Sequence, residues 1–263
     1  MEGPTRRDVL RAGTGATALA IVGSTASAET SRPAGGEFTQ ESETRATVTY
    51  SSGREIVLEY DEAAIQEYQP QLVLQEVDPE PIAFHAVHAS DSESSLNAVY
   101  GWTLYSHQEG VSSADSHLGD HEPVIVWYDE TTGEVARVDY AAYHWFRGSA
   151  RPDVLQYADR ADRRPMLRVD PTYHHYYLYQ GSWPGERLQT ENLLSSMSGW
   201  LSNGLEESLA VSQPWDPWDM LGRETWWRHT RGNYVDALLK SLWFNLGLSG
   251  ATSTADVEEV QVW

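Results

Sequence analysis

Residues 98–146 read AVYGWTLYSHQEGVSSADSHLGDHEPVIVWYDETTGEVARVDYAAYHWF, and this stretch decides the fold. Its apolar run at 123–128 predicts a β-strand, the polar segment 129–133 predicts a chain reversal, and a second strand is expected to continue to about Phe146. His117, Asp120 and Glu122 come directly before the first of these strands, where a rigid sheet can hold polar groups in place. The stretch therefore predicts a hairpin with a functional site at one end.

The rest of the chain predicts a mainly β protein, with α+β as the alternative. Short β-type runs are bounded by Gly, Pro, Ser or Asp, as is usual for strands; they lie at 46–50, 56–60, 72–77, 82–87, 97–105, 166–169 and 173–179. Residues 61–68 are expected to form either a short helix with Asp61 as its N-cap or an acidic loop. Apolar residues recur at helical spacing over 191–209, with Thr190 as the expected N-cap, and a shorter helix is expected over 234–246.

The N-terminal segment has the features of an export signal. Arg6 and Arg7 form a twin-arginine pattern, a weakly apolar run follows, and Ala26-Ser27-Ala28 is a small-residue cleavage site. We therefore expect a signal peptide over 1–28, a flexible linker over 29–45, and one domain over 46–263. No later run is long and apolar enough to suggest a membrane span. The mature protein is expected to be a secreted or cell-surface monomer.

The charge of the chain is strongly one-sided. Asp and Glu number 39 against 18 Lys and Arg, which gives a net charge of −21, and Lys240 is the only lysine. Carboxylates spread along the chain with almost no lysine favour adaptation to high salt, in which mutual repulsion is screened; a basic partner is the alternative. Nucleic-acid binding by a basic face is excluded. The absence of Cys excludes disulfides and Cys-ligated zinc.

Four side chains in the central stretch suit a hard divalent cation. Glu109, His117, Asp120 and Glu122 would supply three carboxylates and one imidazole, and oxygen-rich sets of this kind favour Mg²⁺, Ca²⁺ or Mn²⁺. Asp120 and Glu122 are two residues apart, so an extended chain would place them on one face. The alternative is that these groups are solvated acids in an acid-rich protein.

The motif around these residues resembles the centre of the necrosis- and ethylene-inducing peptide-like proteins. Their GHRHDWE is followed by an apolar strand, and here SHLGDHE at 116–122 is followed by PVIVW. The matching positions are His117, Asp120 and Glu122, whereas Ser116, Gly119 and His121 replace the family's Gly, second His and Trp. In the family an Asp ligand lies eight residues before the motif's first His, and Glu109 stands there in this sequence. His144 lies near the position of a downstream family His.

The resemblance implies a β-sandwich flanked by helices in the C-terminal part. It also implies that Glu109, His117, Asp120 and Glu122 bind a divalent cation in a cleft. Several members of that family are secreted toxins that bind sphingolipid sugar headgroups, so a glycan or lipid headgroup becomes the expected partner.

Three functions stay open at this point. The first is cation-dependent binding of a polar headgroup or glycan. The second is metal-dependent hydrolysis, in which His117, His144 or His175 moves protons. The third is a structural cell-surface protein whose acids serve solubility. The sequence contains no G-x-S-x-G, H-E-x-x-H or P-loop motif, which disfavours the common hydrolase and nucleotide-binding classes.

Overall fold

The computed structural model describes residues 37–108, 117–143, 146–158 and 160–196, all within the compact unit Gly35–Trp263. Positions 117–119, 143 and 146 are described by their backbone alone. The expected signal peptide, the helix over 234–246 and most of the helix over 191–209 lie outside these ranges. Within them, no helix is long and apolar enough to cross a membrane.

The described part of the chain is built mainly from strands. In chain order they are β1 (Glu37–Ser42), β2 (Arg45–Thr49), β3 (Glu55–Glu59), β4 (Gln71–Val73), β5 (Ala83–Asp91), β6 (Leu96–Gln108), β7 (His117–Asp129), β8 (Val135–Tyr143), β9 (Phe146–Ala150), β10 (Met166–Val169), β11 (Tyr176–Leu178) and β12 (Thr190–Asn192). Helix α1 spans Glu62–Tyr68, and a 3₁₀ turn spans Pro152–Val154. The prediction of a mainly β fold is confirmed.

These strands form two sheets in the described ranges. Nine belong to a large sheet in the order β1-β2-β3-β5-β6-β7-β8-β9, in which β12 pairs in parallel with β5. The others form a three-stranded sheet, β11-β10-β4. Tyr176 of β11 ties the sheets together, because its hydroxyl donates to Thr103 Oγ1 at 2.7 Å and lies 3.0 Å from the main-chain oxygen of Glu122.

The core lies on β6 and β7 and their neighbours. Side chains alternate across a strand, so facing positions of paired strands share a side of the sheet. Val99 faces Val126, and Gly101 faces Val124, which places them on the same side as Thr103 and Glu122. Val99, Val124 and Val126 are fully or almost fully buried, as are Leu167 and Tyr176 of the small sheet. The apolar runs read from the sequence therefore supply the core that supports the site.

Several local predictions are confirmed. The β-type runs at 46–50 and 56–60 form β2 and β3, which pair in antiparallel fashion, and the segment between them contains Gly53, whose φ of +88° is readily adopted by glycine. Asp61 caps α1, since its Oδ1 accepts hydrogen bonds from the amides of Ala63 and Ala64 at 3.0 and 3.1 Å. The strand expected at 166–169 has those bounds.

Three predictions about elements are wrong in part. The flexible linker does not extend to residue 45, because β1 pairs with β2 over Glu37–Ser42. Thr190 is not a helix N-cap: it begins β12, and the Oδ1 of Asn192 accepts from the Leu194 amide at 2.9 Å where the helical turn 193–196 begins. The strand expected over 173–179 is only three residues long, because the chain turns at 170–175 before β11.

Candidate functional site

Strand β7 begins six residues earlier than the apolar run predicts. Its ladder with β6 continues past Thr103 opposite Glu122 and Tyr105 opposite Asp120, as far as His117. The polar composition of residues 117–122 hid this pairing, since β propensity reads mainly apolar and aromatic side chains. Asp120 and Glu122 are therefore held by the sheet itself rather than by a loop at its edge.

Asp120 and Glu122 form the buried acidic part of the site. Both lie on the face of the large sheet that the small sheet covers, and they are only 3% and 5% exposed. Moving a carboxylate out of water is unfavourable unless hydrogen bonds or an opposite charge compensate it. Two such groups at alternate positions of one strand would be stabilised by a positive charge nearby.

A tight turn before β11 positions His174 against Asp120. Asp170 Oδ1 accepts hydrogen bonds from the amides of Thr172 and Tyr173 at 2.9 and 2.8 Å, and its carbonyl accepts from the His174 amide at 3.1 Å. His174 has a φ of +57°, a left-handed conformation that non-glycine residues adopt at a free-energy cost. The turn around Asp170 holds His174 in that conformation.

The imidazole of His174 binds Asp120 directly. Its Nδ1 lies 2.8 Å from Asp120 Oδ2, and its ring stacks on Tyr105 with centroids 4.0 Å apart and planes 9° from parallel. His174 is fully buried, and no group in the described parts of the chain hydrogen-bonds its Nε2. The contact fixes both the carboxylate and the ring. Sequence reasoning missed this residue; the Asp-Pro turn start at 170–171, just ahead of two histidines, was the available signal.

Two tyrosines complete the surroundings of the acids. Burial raises the pKa of Tyr105 and of Tyr176 well above the ordinary value, and the charges of Asp120 and Glu122 act in the same direction. Both hydroxyls therefore stay protonated at neutral pH. The Tyr176 hydroxyl accordingly acts as a donor, and its single proton lies within reach of both Thr103 Oγ1 and the Glu122 carbonyl.

His175, a candidate proton carrier, belongs to a neighbouring chain of contacts. It is fully buried, and its Nε2 lies 2.8 Å from the Tyr177 hydroxyl, which donates to Asp170 Oδ2 at 3.2 Å. Burial lowers the pKa of His175 to about 4. The ring is therefore neutral at physiological pH and supports the turn that carries His174.

The other predicted site residues, the ligands Glu109 and His117 and the candidate proton carrier His144, are less fully placed. Glu109 and His144 lie outside the described residues, and of His117 only the backbone is described, paired with Gln108 at the start of β7. Among the described side chains no group of three or more His, Asp or Glu is arranged as a metal cage. The structure thus brings His174 to Asp120 and places Glu122 on the same face of β7, and the four-ligand cation site stays a prediction.

Comparisons with known proteins give limited similarity. No family model and no curated protein matches the chain. A solved structure described as a toxin fold for microbial attack and plant defense is 13% identical, with a TM-score of 0.40 over 51% of this chain and 74% of that one. The structure of NLPPya in complex with glucosamine is 13% identical in sequence, with a TM-score of 0.41 over 52% of this chain and 77% of that one. The structure of NLPPya in complex with mannosamine is 14% identical, with a TM-score of 0.40 over 52% of this chain and 76% of that one. Similarity of this extent does not by itself define the fold or activity of this chain.

Proposed function

We propose that this protein is an exported binding protein that holds a divalent cation at Asp120 and Glu122 and uses it to bind a polar headgroup or a glycan. The observation that carries the proposal is the burial of these two carboxylates side by side along β7, with His174 fixed against Asp120. The export step rests on the Arg6-Arg7 pattern and the cleavage site at residues 26–28.

The donor set suits the proposed ion. Carboxylate oxygens are the preferred ligands of Mg²⁺ and Ca²⁺, and Mn²⁺ also accepts imidazole. Asp120 and Glu122 would hold the cation, with Glu109 and His117 as the further proposed ligands. A cation at this place would compensate the cost of burying the acids. Its open coordination positions would accept hydroxyl or phosphate oxygens of a ligand.

His174 would act as a positioning residue in this site. Through Nδ1 it binds Oδ2 of Asp120 and so restrains the orientation of that carboxylate. Stacking on Tyr105 prevents rotation of the imidazole. Groups of this kind around a metal ligand commonly change affinity by 10–100-fold when they are removed.

The first experiment measures cation binding by titration calorimetry in high salt with Mg²⁺, Ca²⁺ and Mn²⁺. We expect one site per chain and at least a tenfold loss of affinity in Asp120→Asn. Glu130→Gln is the matched control, because Glu130 is exposed just beyond the end of the same strand and loses the same charge. Equal affinity of Asp120→Asn and the wild type, or no binding at millimolar cation, would overturn the proposal.

The second experiment asks whether the ligand depends on the cation. Glucosamine, mannosamine and vesicles carrying glycosylated or phosphorylated headgroups are tested before and after chelation with EDTA. We expect binding of one of these classes only in the cation-loaded protein, and its loss in Asp120→Asn. Ligand binding that is unchanged by the chelator would contradict a cation-mediated mechanism.

A further inference from the structure

A second group of reactive side chains lies elsewhere on the large sheet, and it begins with a cross-strand pair. The parallel ladder between β5 and β12 places Glu191 opposite His85. Glu191 Oε2 lies 3.2 Å from His85 Nε2. Because two hydrogen-bonded strands carry these residues, their separation is set by strand register rather than by a loop.

Ser196 lies against the other nitrogen of the same imidazole. Its Oγ is 3.0 Å from His85 Nδ1, within the distance at which a base accepts a hydroxyl proton. The main-chain oxygens of Asn192 and Leu193 lie slightly farther from the same Oγ, at 3.1 and 3.2 Å. His85 Nδ1 is therefore the nearest of these three polar atoms to the serine oxygen, and the chain turn just after β12 fixes the position of that oxygen.

The protonation state of His85 suits a base. Burial lowers the pKa of His85, and the negative charge of Glu191 partly opposes this shift. Burial therefore favours the neutral ring at neutral pH, and in the tautomer that donates its Nε2 hydrogen to Glu191 the Nδ1 lone pair faces Ser196. The side chain of His85 is 14% exposed and that of Glu191 is 52% exposed, so solvent reaches the group from the glutamate side.

This group is separate from the proposed cation site. His85 faces Trp102 across the β5–β6 ladder, whereas Glu122 faces the next residue of β6, Thr103. Neighbouring residues of one strand point to opposite sides of a sheet. Ser196, His85 and Glu191 thus lie on one side of the large sheet, and Asp120 and Glu122 lie on the other.

We propose that Ser196, His85 and Glu191 form a nucleophilic serine site that cleaves small carboxylic esters. A nucleophile, a base within hydrogen-bond reach and an acid that orients the base are the features such sites share on unrelated folds. The acid and the serine contact the opposite nitrogens from those used in the serine proteases, and the imidazole has the same role, because the nitrogen that faces the serine takes its proton and later gives it up.

The reaction proceeds in two balanced steps. Ser196 Oγ attacks the ester carbonyl carbon, its proton passes to His85 Nδ1, and the leaving alkoxide takes that proton as the carbon–oxygen bond breaks. Water then attacks the acyl-serine, His85 accepts and returns a proton, and the carboxylic acid and free Ser196 are released. Glu191 stabilises the transient imidazolium and keeps the ring oriented.

A covalent probe tests the proposal directly. The full chain in high salt is treated with a fluorophosphonate, and labelled peptides are mapped by mass spectrometry, alongside hydrolysis of p-nitrophenyl acetate. We expect one label per chain at Ser196 and a loss of ester hydrolysis of at least tenfold in Ser196→Ala. Ser195→Ala is the matched control, because the Ser195 hydroxyl donates to the Asn192 carbonyl in the same turn.

Further readouts separate chemistry from structure. Glu191→Gln should lower the rate severalfold while Ser196 still accepts the label, and the pH dependence of the rate should follow the titration of His85. Label on the wild type at other serines, or none at all, would overturn the proposal even if Ser196→Ala failed to fold. EDTA should leave the labelling unchanged, so failure here and failure of the cation site are distinguishable.

Discussion

At the scale of single residues, titratable side chains are concentrated in the interior beside the turn 170–175. Asp120, Asp170, His174 and His175 are all 5% exposed or less. Each has a specific partner there, since Asp120 binds His174, while Asp170 caps the turn and accepts from Tyr177. Buried polar groups of this kind stabilise the fold only while every partner stays in place. The turn should therefore respond to pH.

We expect His175 to make the fold sensitive to acid. Its folded-state pKa of about 4 lies below the ordinary 6.5, so between these two pH values the unfolded chain is protonated at this ring while the folded chain is not. The contribution to stability is fully present above pH 6.5 and is lost as the pH falls toward 4. Its size is at most roughly 3 kcal/mol. Denaturant titrations between pH 4 and 7 measure it.

The matched comparison uses two glutamine variants. His175→Gln should flatten the fall in unfolding free energy between pH 6.5 and 4, because the titrating ring is gone. His107→Gln should keep the wild-type slope, since His107 is partly exposed near the end of β6. A wild-type slope in His175→Gln would show that another group governs the acid response.

At the scale of elements, sequence patterns predicted those strands and caps that depend only on residues close together in the chain. The strands around Gly53, the cap at Asp61 and the strand β10 follow from turn residues, a capping side chain and a short apolar run. The start of β7 could not be read this way, because its first residues are polar and gain their pairing from β6. Tertiary pairing overrode propensity there.

Close packing between two central strands gives a further prediction. Gly101 of β6 lies beneath the ring of Phe84 of β5, and a Cβ added at Gly101 would overlap that ring. Gly101→Ala should therefore destabilise the fold by about 2 kcal/mol, a usual cost of overpacking a core. Chemical denaturation compares the wild type with this variant.

A second substitution tests the cause of that loss. Phe84→Leu in the Gly101→Ala background removes the ring that the new methyl group meets, so the double variant should be less destabilised than the sum of the two single variants. Additive losses would mean that the strain lies in the backbone of β6 rather than against Phe84.

At the scale of the whole molecule, only the part of the site that lies on a single strand could be predicted from the sequence. Asp120 and Glu122 share a face because they are two residues apart, and that relation is visible in the sequence. His174 reaches Asp120 from 54 positions away through a turn that requires a left-handed residue. Long-range contacts of this kind depend on how the small sheet covers the large one, which no local pattern encodes.

The charge of the molecule leads to the last prediction. Residues 1–28 carry a net charge of +1, so the remainder carries about −22, with exposed acids such as Glu37 on β1 and Glu93 and Glu130 in turns. Repulsion among them acts over about 10 Å at 0.1 M salt and about 3 Å at 1 M. The melting temperature should therefore rise steeply with KCl up to molar concentration.

A variant with Glu37, Glu93 and Glu130 replaced by Gln should show a smaller rise of the melting temperature with KCl. Sucrose, which stabilises by exclusion from the surface, should raise the melting temperatures of variant and wild type equally. A melting temperature independent of KCl would contradict adaptation to high salt.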